Sequence, residues 1–462
     1  MPKTGPPLPP ELNVRSTADA YIETLSAHGI DYVFANAGTD FAPIVEALIK
    51  ARETGTSVPE FLAIPHENVA ASLGHGYSRI SGKPTAVMVH TTVGTANALC
   101  ALINASRDNI PLLLAAGRTP YTESGHAGSR GANIHWGQEV FDQGGMVRDV
   151  VKWDYELRAG QPAETVVNRA LEIAMSAPKG PVYLTLPREV LANEAPPSEG
   201  TSPLRPLGGS PPAPDNNSIA EAADAIISSD FPVLVTTSGG RTPDAFHAIS
   251  DFAEKCLVPV TQPFNTDVNL PSSHAMNFGG AWMMMLERAD LIIVLDSAVP
   301  WNSRVSLQDN KKVIQIAPDP FYSRYPLRGF PADIAITGTA VTTLPLLTEA
   351  MTSSKSKLSK FHASRLQRIE GLQKQRAGKW VKILKKAMTA QPISGAWIAE
   401  CINNLKDSKD IVVNELGSPF DIYEFTKPGT YMTVSSAGGL GFGLGASLGA
   451  KLAAPDSNVF TT

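Results

Sequence analysis

Apolar residues recur at helical spacing from Ser16 to His28 (STADAYIETLSAH), after a Ser-Thr cap signal and ahead of Gly29, and predict a helix. Tyr32–Ala35 then reads as a short buried strand, Ala37–Asp40 as a turn, and FAPIVEALIKA as a second helix. FLAIP reads as a strand ending near Ile64, followed by a helix with Glu67 in its first turn. The apolar run TAVMVHTT predicts a strand closed by a glycine turn at Gly94, and TANALCALINASRD another helix. PLLLAAG and PVYLTLP predict further buried strands around the helix TVVNRALEIAMSAP. Short β-rich runs alternating with helices of ten or more residues predict βαβ units and a parallel sheet.

The pattern breaks at residues 194–217 (EAPPSEGTSPLRPLGGSPPAPDNN), whose density of Pro, Ser and Gly predicts a linker. It resumes with IAEAADAIISS, PVLVTTSGG, PDAFHAISDFAEKC and VPVTQ, then LIIVLDS, KVIQIAPD and a helix near 340–350. A basic helical stretch, FHASRLQRIEGLQKQRAGKWVKILKKA, predicts a solvated connection. From Gln391 a third unit begins with SGAWIAECINNL and IVVNELG, and ends with SSAGGLGFGLGASLGAKLAAP and NVFTT. The expected architecture is therefore α/β, with three doubly wound parallel-sheet domains, the third incomplete. The boundaries fall at 1–192, a linker at 193–217, 218–350, a helical linker at 351–390, and 391–462.

Composition narrows the picture without changing it. A charged fraction of 18% and a hydrophobic fraction of 43% describe a globular chain of 462 residues, long enough for several cores. The net charge of −5 carries no signal for nucleic acid or a membrane surface. No run approaches the length of a membrane span, and MPKTGPPLPPELNV has no apolar signal core, so a cytoplasmic protein is expected. Cys100, Cys256 and Cys401 are odd in number and far apart, which predicts buried thiols rather than disulfides.

Two features carry chemistry. Glu67 stands at a helix start, where unpaired N–H groups favour an anion; such an acid is ordinarily only a helix-terminal charge. The glycines from Gly438 to Gly449 suit close helix packing, or a backbone that approaches a flat ligand before entering a helix.

The run PHENVAASLGHGYSRISGKP, the following HTTVGTANALCALINASRDNIPLLLAAG, GQEVFDQ with VVKW, and SAGGLGFGLGASLGAKLAAPDSNV together resemble the thiamine diphosphate-dependent enzymes of the acetolactate synthase and pyruvate decarboxylase superfamily. The resemblance covers nearly the whole chain, in the order pyrimidine-binding, central and diphosphate-binding domain. It implies that Glu67 hydrogen-bonds the cofactor's pyrimidine, with Gly94 and Asn97 in the same motif, and that Gln138 is an active-site glutamine. It implies that Leu440 props the bent cofactor and that Gly438 offers it a carbonyl. Leu416, Gly417 and Ser418 would bind the diphosphate through backbone N–H groups, which Pro419 lacks. His66, His90 and His135 lie close to motif positions, each more ordinarily a packing or capping residue.

The implied function is decarboxylation of a 2-oxo acid, pyruvate being expected, followed by carboligation, in a homodimer or homotetramer whose subunits share the active sites. The alternatives are a 2-hydroxyacyl-CoA lyase, a simple 2-oxo acid decarboxylase, or an inactive regulatory subunit. Departures matter here. Thr92-Val93-Gly94 replaces the family's Gly-Pro-Gly turn, and Asp296–Trp301 lacks the arginine of FAD-binding relatives, which makes FAD doubtful although Gly239-Gly240 would admit a nucleotide. The family continues past NVFTT with a Gly-Asp-Gly and an Asn-Asn that hold Mg²⁺. The sequence stops at Thr462 ahead of both, so the metal ligands are expected beyond it and truncation is the expected reason.

Overall fold

The computed structural model describes residues 14–126, 128–197, 207–302, 311–353 and 355–462. In chain order the first elements are α1 (Thr17–Ala27), β1 (Tyr32–Asn36), α2 (Ala42–Thr54), β2 (Glu60–Ala63), α3 (Glu67–Ser81), β3 (Thr85–Val89), α4 (Thr91–Arg107) and β4 (Leu112–Arg118). They are followed by α5 (Ile134–Gly137), β5 (Asp154–Glu156), α6 (Ala163–Met175), β6 (Val182–Pro187) and α7 (Arg188–Ala192). The strands form one parallel sheet in the order β2-β1-β3-β4-β6-β5.

Alternation along these strands builds two cores, because successive side chains point to opposite faces. Val33, Ala86, Met88, Leu113 and Ala115 face α1 and α6, packing with Tyr21, Leu25, Val167 and Leu171. Phe34, Val87, Val89, Leu112 and Leu114 face α3 and α4, packing with Ala70, Leu73, Ala98 and Leu102. Both faces are covered, which is why β3 reads as an unbroken apolar run with every residue buried.

The next elements are α8 (Asn216–Ser228), β7 (Pro232–Thr236), α9 (Pro243–Cys256), β8 (Val260–Thr261), α10 (Trp282–Arg288), β9 (Leu291–Leu295), β10 (Lys312–Ala317), β11 (Ile334–Thr337), α11 (Ala340–Ser353) and α12 (Lys355–Ala387). Their parallel sheet has the order β11-β10-β9-β7-β8. Last come α13 (Gly395–Leu405), β12 (Ile411–Asn414), β13 (Tyr431–Thr433), α14 (Phe442–Ala453) and β14 (Val459–Thr461), with a parallel sheet β13-β12-β14.

The strands form three parallel sheets of six, five and three strands. The compact units are two: residues 1–209 with 435–455, and 210–434 with 456–462. The glycine-rich segment therefore belongs with the first sheet. Part of the expected linker, 198–206, lies outside the described residues.

Two local expectations change. Gly94 is not in a turn: α4 already begins at Thr91, and Gly94 sits inside it. Of the three cysteines only Cys256 is buried; Cys100 on α4 and Cys401 on α13 are exposed. Successive helical residues point to different faces, so apolar neighbours in sequence are poor guides to the burial of Cys100 and Cys401.

Candidate functional site

In the first sheet the strand order reverses between β1 and β3, so the crevice beyond their carboxyl ends is where a ligand would sit. The chain leaves β1 through Gly38-Thr39-Asp40 and leaves β3 through His90. Asp40 and His90 meet there: Nδ1 of His90 lies 2.5 Å from Oδ1 of Asp40. Two glycines make room for the pair. A Cβ on Gly38 would stand 2.1 Å from Nδ1 of His90, and one on Gly117 would stand 1.7 Å from Oδ2 of Asp40.

The shallow cleft around this pair is lined also by Thr39, Arg118, His135, Gln138 and Arg188. Gln138 ends α5. Its backbone carbonyl accepts from Thr92 Oγ1 at 2.8 Å, and its Oε1 accepts from Thr91 Oγ1 at 3.4 Å. The two cleft histidines are driven in opposite directions. The Asp40 carboxylate raises the pKa of His90, opposed by burial and assisted by Gln138 and the charge of Glu67. Burial lowers that of His135, with the charges of Arg188 and Arg130 acting the same way. His135 Nδ1 accepts from the Gly131 N–H at 3.0 Å, so the neutral ring carries its proton on Nε2, 3.5 Å from Thr39 Oγ1. One cleft thus holds a readily charged imidazole and a neutral one, the division of labour that acid–base chemistry uses.

Glu67 is the first residue of α3, whose N-cap is His66 and whose C-cap is Gly82 at φ +71°. His66 Nδ1 accepts from the Asn68 N–H at 3.1 Å and the ring is exposed, so His66 is a cap. The Glu67 side chain is buried, and Oε2 accepts from Asn97 Nδ2 at 3.0 Å. Toward Oε1 the space is open only because residue 94 is glycine: a Cβ there would stand 3.3 Å from Oε1 and 3.0 Å from Val89. A glycine inside a helix costs about 1 kcal/mol relative to alanine. Here it leaves the carboxylate one unencumbered oxygen, a fit for a flat heterocycle with a ring nitrogen, such as the pyrimidine of thiamine diphosphate.

The segment before α14 lies against α3 and α4. Asn104, fully buried, donates to the Gly439 carbonyl at 2.8 Å and accepts from the Gly439 N–H at 3.1 Å and the Ser435 hydroxyl at 3.0 Å. Gly438 and Gly441 take φ of +65° and +86°, which a side chain would strain. Leu440 between them is 58% exposed, available to support a ligand rather than committed to a core. The glycines inside α14 serve packing instead: Cβ atoms on Gly445 and Gly449 would stand 2.6 Å from Ser72 Cβ and 2.0 Å from the Leu73 carbonyl on α3.

The loop expected to bind a diphosphate lies in the second unit. There the N–H groups of Gly417 and Ser418 donate to Asn414 Oδ1 at 2.9 and 3.1 Å, an Asx turn closing β12. An anion using those N–H groups would have to displace the Asn414 side chain. Gly239 and Gly240, which on sequence would admit a nucleotide, are also engaged. A Cβ on Gly240 would stand 2.5 Å from Asn269 Cα, and its N–H donates to Asn269 Oδ1 at 2.7 Å. These glycines serve the central sheet's own packing and give FAD no support.

Asp40, Arg188 and Asn104 were missed on sequence. A three-residue spacer after β1 and a charged residue after β6 carry no local signal, and only the sheet brings them together.

The sequence matches the family described as thiamine pyrophosphate enzyme, N-terminal TPP binding domain, over residues 15–146, and its central domain over residues 219–347, together more than half of the chain. It is 26% identical over 465 residues to benzoylformate decarboxylase of Pseudomonas aeruginosa, covering 96% of this chain and 80% of that protein. It is 27% identical over 461 residues to the acetolactate synthase isozyme 1 large subunit of Escherichia coli, covering 96% and 75%. Among solved structures, a putative thiamin diphosphate-dependent enzyme from Mycobacterium smegmatis superimposes with a TM-score of 0.75 at 21% identity, over 97% of this chain and 82% of that one.

Proposed function

As the chain belongs to the thiamine pyrophosphate-dependent enzymes, we propose that it decarboxylates a 2-oxo acid and passes the remaining acyl group to an acceptor. The observation that carries this reading is the buried Glu67 carboxylate, held by Asn97 through one oxygen and left open at the other by Gly94. Thiamine diphosphate, when bound, supplies the nucleophilic carbon and the electron sink for this chemistry. Glu67 would hold a proton shared with the pyrimidine at Oε1. Leu440 and the backbone of Gly438 would flank the ring, and Asn97 keeps the carboxylate oriented.

His90 would carry the mobile proton of the cleft on Nε2, because Asp40 retains the one on Nδ1. His135 would donate from Nε2 to a substrate oxygen, with Gln138 alongside in the same cleft. A proton-loaded His90 also supports the second reading, a simple 2-oxo acid decarboxylase that ends by protonating the acyl carbon.

Mg²⁺ belongs to the proposal as the partner of the diphosphate. Among the described residues no group of three His, Cys, Asp or Glu side chains is placed to hold it, so no step is assigned to it. A homodimer or homotetramer in the cytoplasm completes the reading. Its support is the family together with Leu440, Leu444 and Leu448, which stand exposed four residues apart. No helix among the described residues is long and apolar enough to cross a membrane.

The test is Glu67→Gln, scored for thiamine-dependent CO₂ release from a panel of 2-oxo acids and for cofactor binding by calorimetry. Loss of a positioned acid–base group predicts a fall of about 100- to 10,000-fold in turnover with an unchanged circular dichroism spectrum. Near-normal turnover by the variant would sink the assignment.

A further inference from the structure

Between β4 and α5 the chain makes a loop whose ends meet. The Arg130 N–H donates to the Thr122 carbonyl at 3.0 Å, and Arg130 Nε to the Pro120 carbonyl at 2.7 Å. Surface loops with ends this close frequently carry function. The root of the loop is fixed by Glu139, which accepts from Arg118 at 2.8 Å, from Thr119 at 2.5 Å and from Arg130. Beyond the root the loop is thinly held: of residues 121–126 and 128–129, only Gly128 is buried.

Three contacts tie this tip to α7 and its C-cap, Asn193. Arg188 Nε donates to the Gly128 carbonyl at 3.1 Å, and a terminal nitrogen donates to Ser129 at 3.0 Å. Glu189 Oε1 accepts from the Thr122 N–H at 3.1 Å and its hydroxyl at 3.0 Å. His126 Nε2 lies 3.2 Å from Asn193 Oδ1. Trp136 adds a long bond to Glu123, at 3.4 Å.

These contacts pull in opposite directions. The Arg188 bonds are charge-assisted and favour the docked tip. Glu189 is fully buried, yet its Oε2 accepts no hydrogen bond among the described residues. An enclosed carboxylate oxygen without a donor destabilises the state that encloses it, and water admitted by an open tip would relieve it. With no buried apolar side chain to hold it, such a segment opens far more cheaply than the whole unit unfolds. The strands beneath differ: β6 is buried throughout, and β4 up to Arg118.

Arg188 joins this tip to the cleft. It is one wall of the shallow cleft that His90 and His135 line, and its remaining contact there is a 3.4 Å bond to the Thr39 carbonyl. Undocking of Gly128 and Ser129 leaves the guanidinium held by that bond alone, free to turn aside and deepen the cleft. We propose that residues 121–126 and 128–129 are the tip of a lid, latched to α7 by Arg188 and Glu189, whose opening admits the substrate to the His90–His135 cleft. This rests on the reading above that the cleft is where the substrate reacts, and adds its gate. Closing again, the lid would keep water from the reacting groups. Arg188 and Glu189 are positioning residues here, acting through the loop.

The experiment uses the full chain without cofactor and reads amide hydrogen exchange together with carbethoxylation of His135, each by peptide mass spectrometry. In the parent, the amides of 122–130 should exchange while those of β4 and β6 stay protected. Arg188→Met should speed both tip exchange and His135 modification about tenfold, the increment of one charge-assisted contact, and leave β4 and β6 unchanged. Thr122→Val alters only a loop side chain, removes a bond to Glu189, and should shift both readings the same way by a smaller factor, which keeps the test open if Arg188→Met folds poorly. Tip amides that exchange only together with β4 and β6 would overturn the lid. Faster tip exchange with unchanged His135 modification would overturn its role as a gate. Absence of thiamine-dependent CO₂ release from every 2-oxo acid would instead count against the reaction class, leaving the measured opening intact.

Discussion

The first and second sheets reach the same topological point and use it in opposite ways. In each, the strand order reverses, between β1 and β3 in one and between β7 and β9 in the other, and polar residues follow the strand ends. At the first reversal Asp40 and His90 line a shallow cleft, with glycines 38 and 117 leaving them room. At the second, Thr237 Oγ1 bonds Ser297 Oγ at 2.6 Å, Ser238 bonds the Asp296 carbonyl, and Arg328 closes on the Ser297 and Ala298 carbonyls. The glycines there are consumed by Leu295 and Asn269. A reversal in strand order therefore offers a crevice, and the side chains around it decide whether that crevice stays open to a ligand.

The sharpest way to break this contrast is to add a methyl group at the closed reversal. Gly240→Ala puts a Cβ 2.5 Å from Asn269 Cα, against backbone that cannot swing aside. Overpacking of this kind costs about 1–3 kcal/mol. Thermal denaturation should show the central unit destabilised by that amount, and an unchanged melting temperature would mean the crevice has slack.

At the open reversal, Asp40→Asn tests whether the carboxylate sets the charge of His90. A charge-assisted bond of this kind contributes about 1.5–3 kcal/mol when partly buried. The raised folded-state pKa of His90 makes that stabilisation fully present below the ordinary histidine range, and it is lost as pH rises through the raised value. The variant should thus lose more stability at pH 6 than at pH 9, and its His90 resonance should titrate at a lower pH than in the parent. A pH-independent loss would argue for packing alone.

The smallest expected effect is at Asp296, a non-glycine residue at φ +44° whose carboxyl burial pushes up to about 7. A raised carboxyl pKa makes the folded state the better proton binder, so stability falls as pH rises from about 4 toward 7. Asp296→Asn removes the charge and suits the left-handed backbone, and should gain stability at pH 8 and little at pH 4. Urea denaturation at the two pH values measures the difference, and an equal gain at both would assign it to backbone preference.

Much of the molecule could be read along the chain. The α/β class, the parallel sheets and the apolar strands follow from periodicity, because a strand covered on both faces must be apolar throughout, as β3 is. Glu67 was legible as the acid of a helix start and as the carrier of a family motif. Its partners were legible only in part: Asn97 fell within the same motif, whereas the role of Gly94 was read as a turn and proved to be a vacancy inside a helix. Gly438 and Leu440 were marked by the motif, but the Asn104 bonds that seat their loop join residues hundreds of positions apart.

What the amino-acid order determined by itself was therefore local and periodic: which segments are strands and helices, and which carboxylate begins α3. Tertiary structure alone decided that Asp40 faces His90, that Arg188 meets the carbonyls of Gly128, Ser129 and Thr39, and that Gly239-Gly240 is filled by its own domain. Those outcomes depend on strand order and on the few ångströms between neighbouring loops. No spacing within a single segment encodes distances set by elements that are remote in sequence.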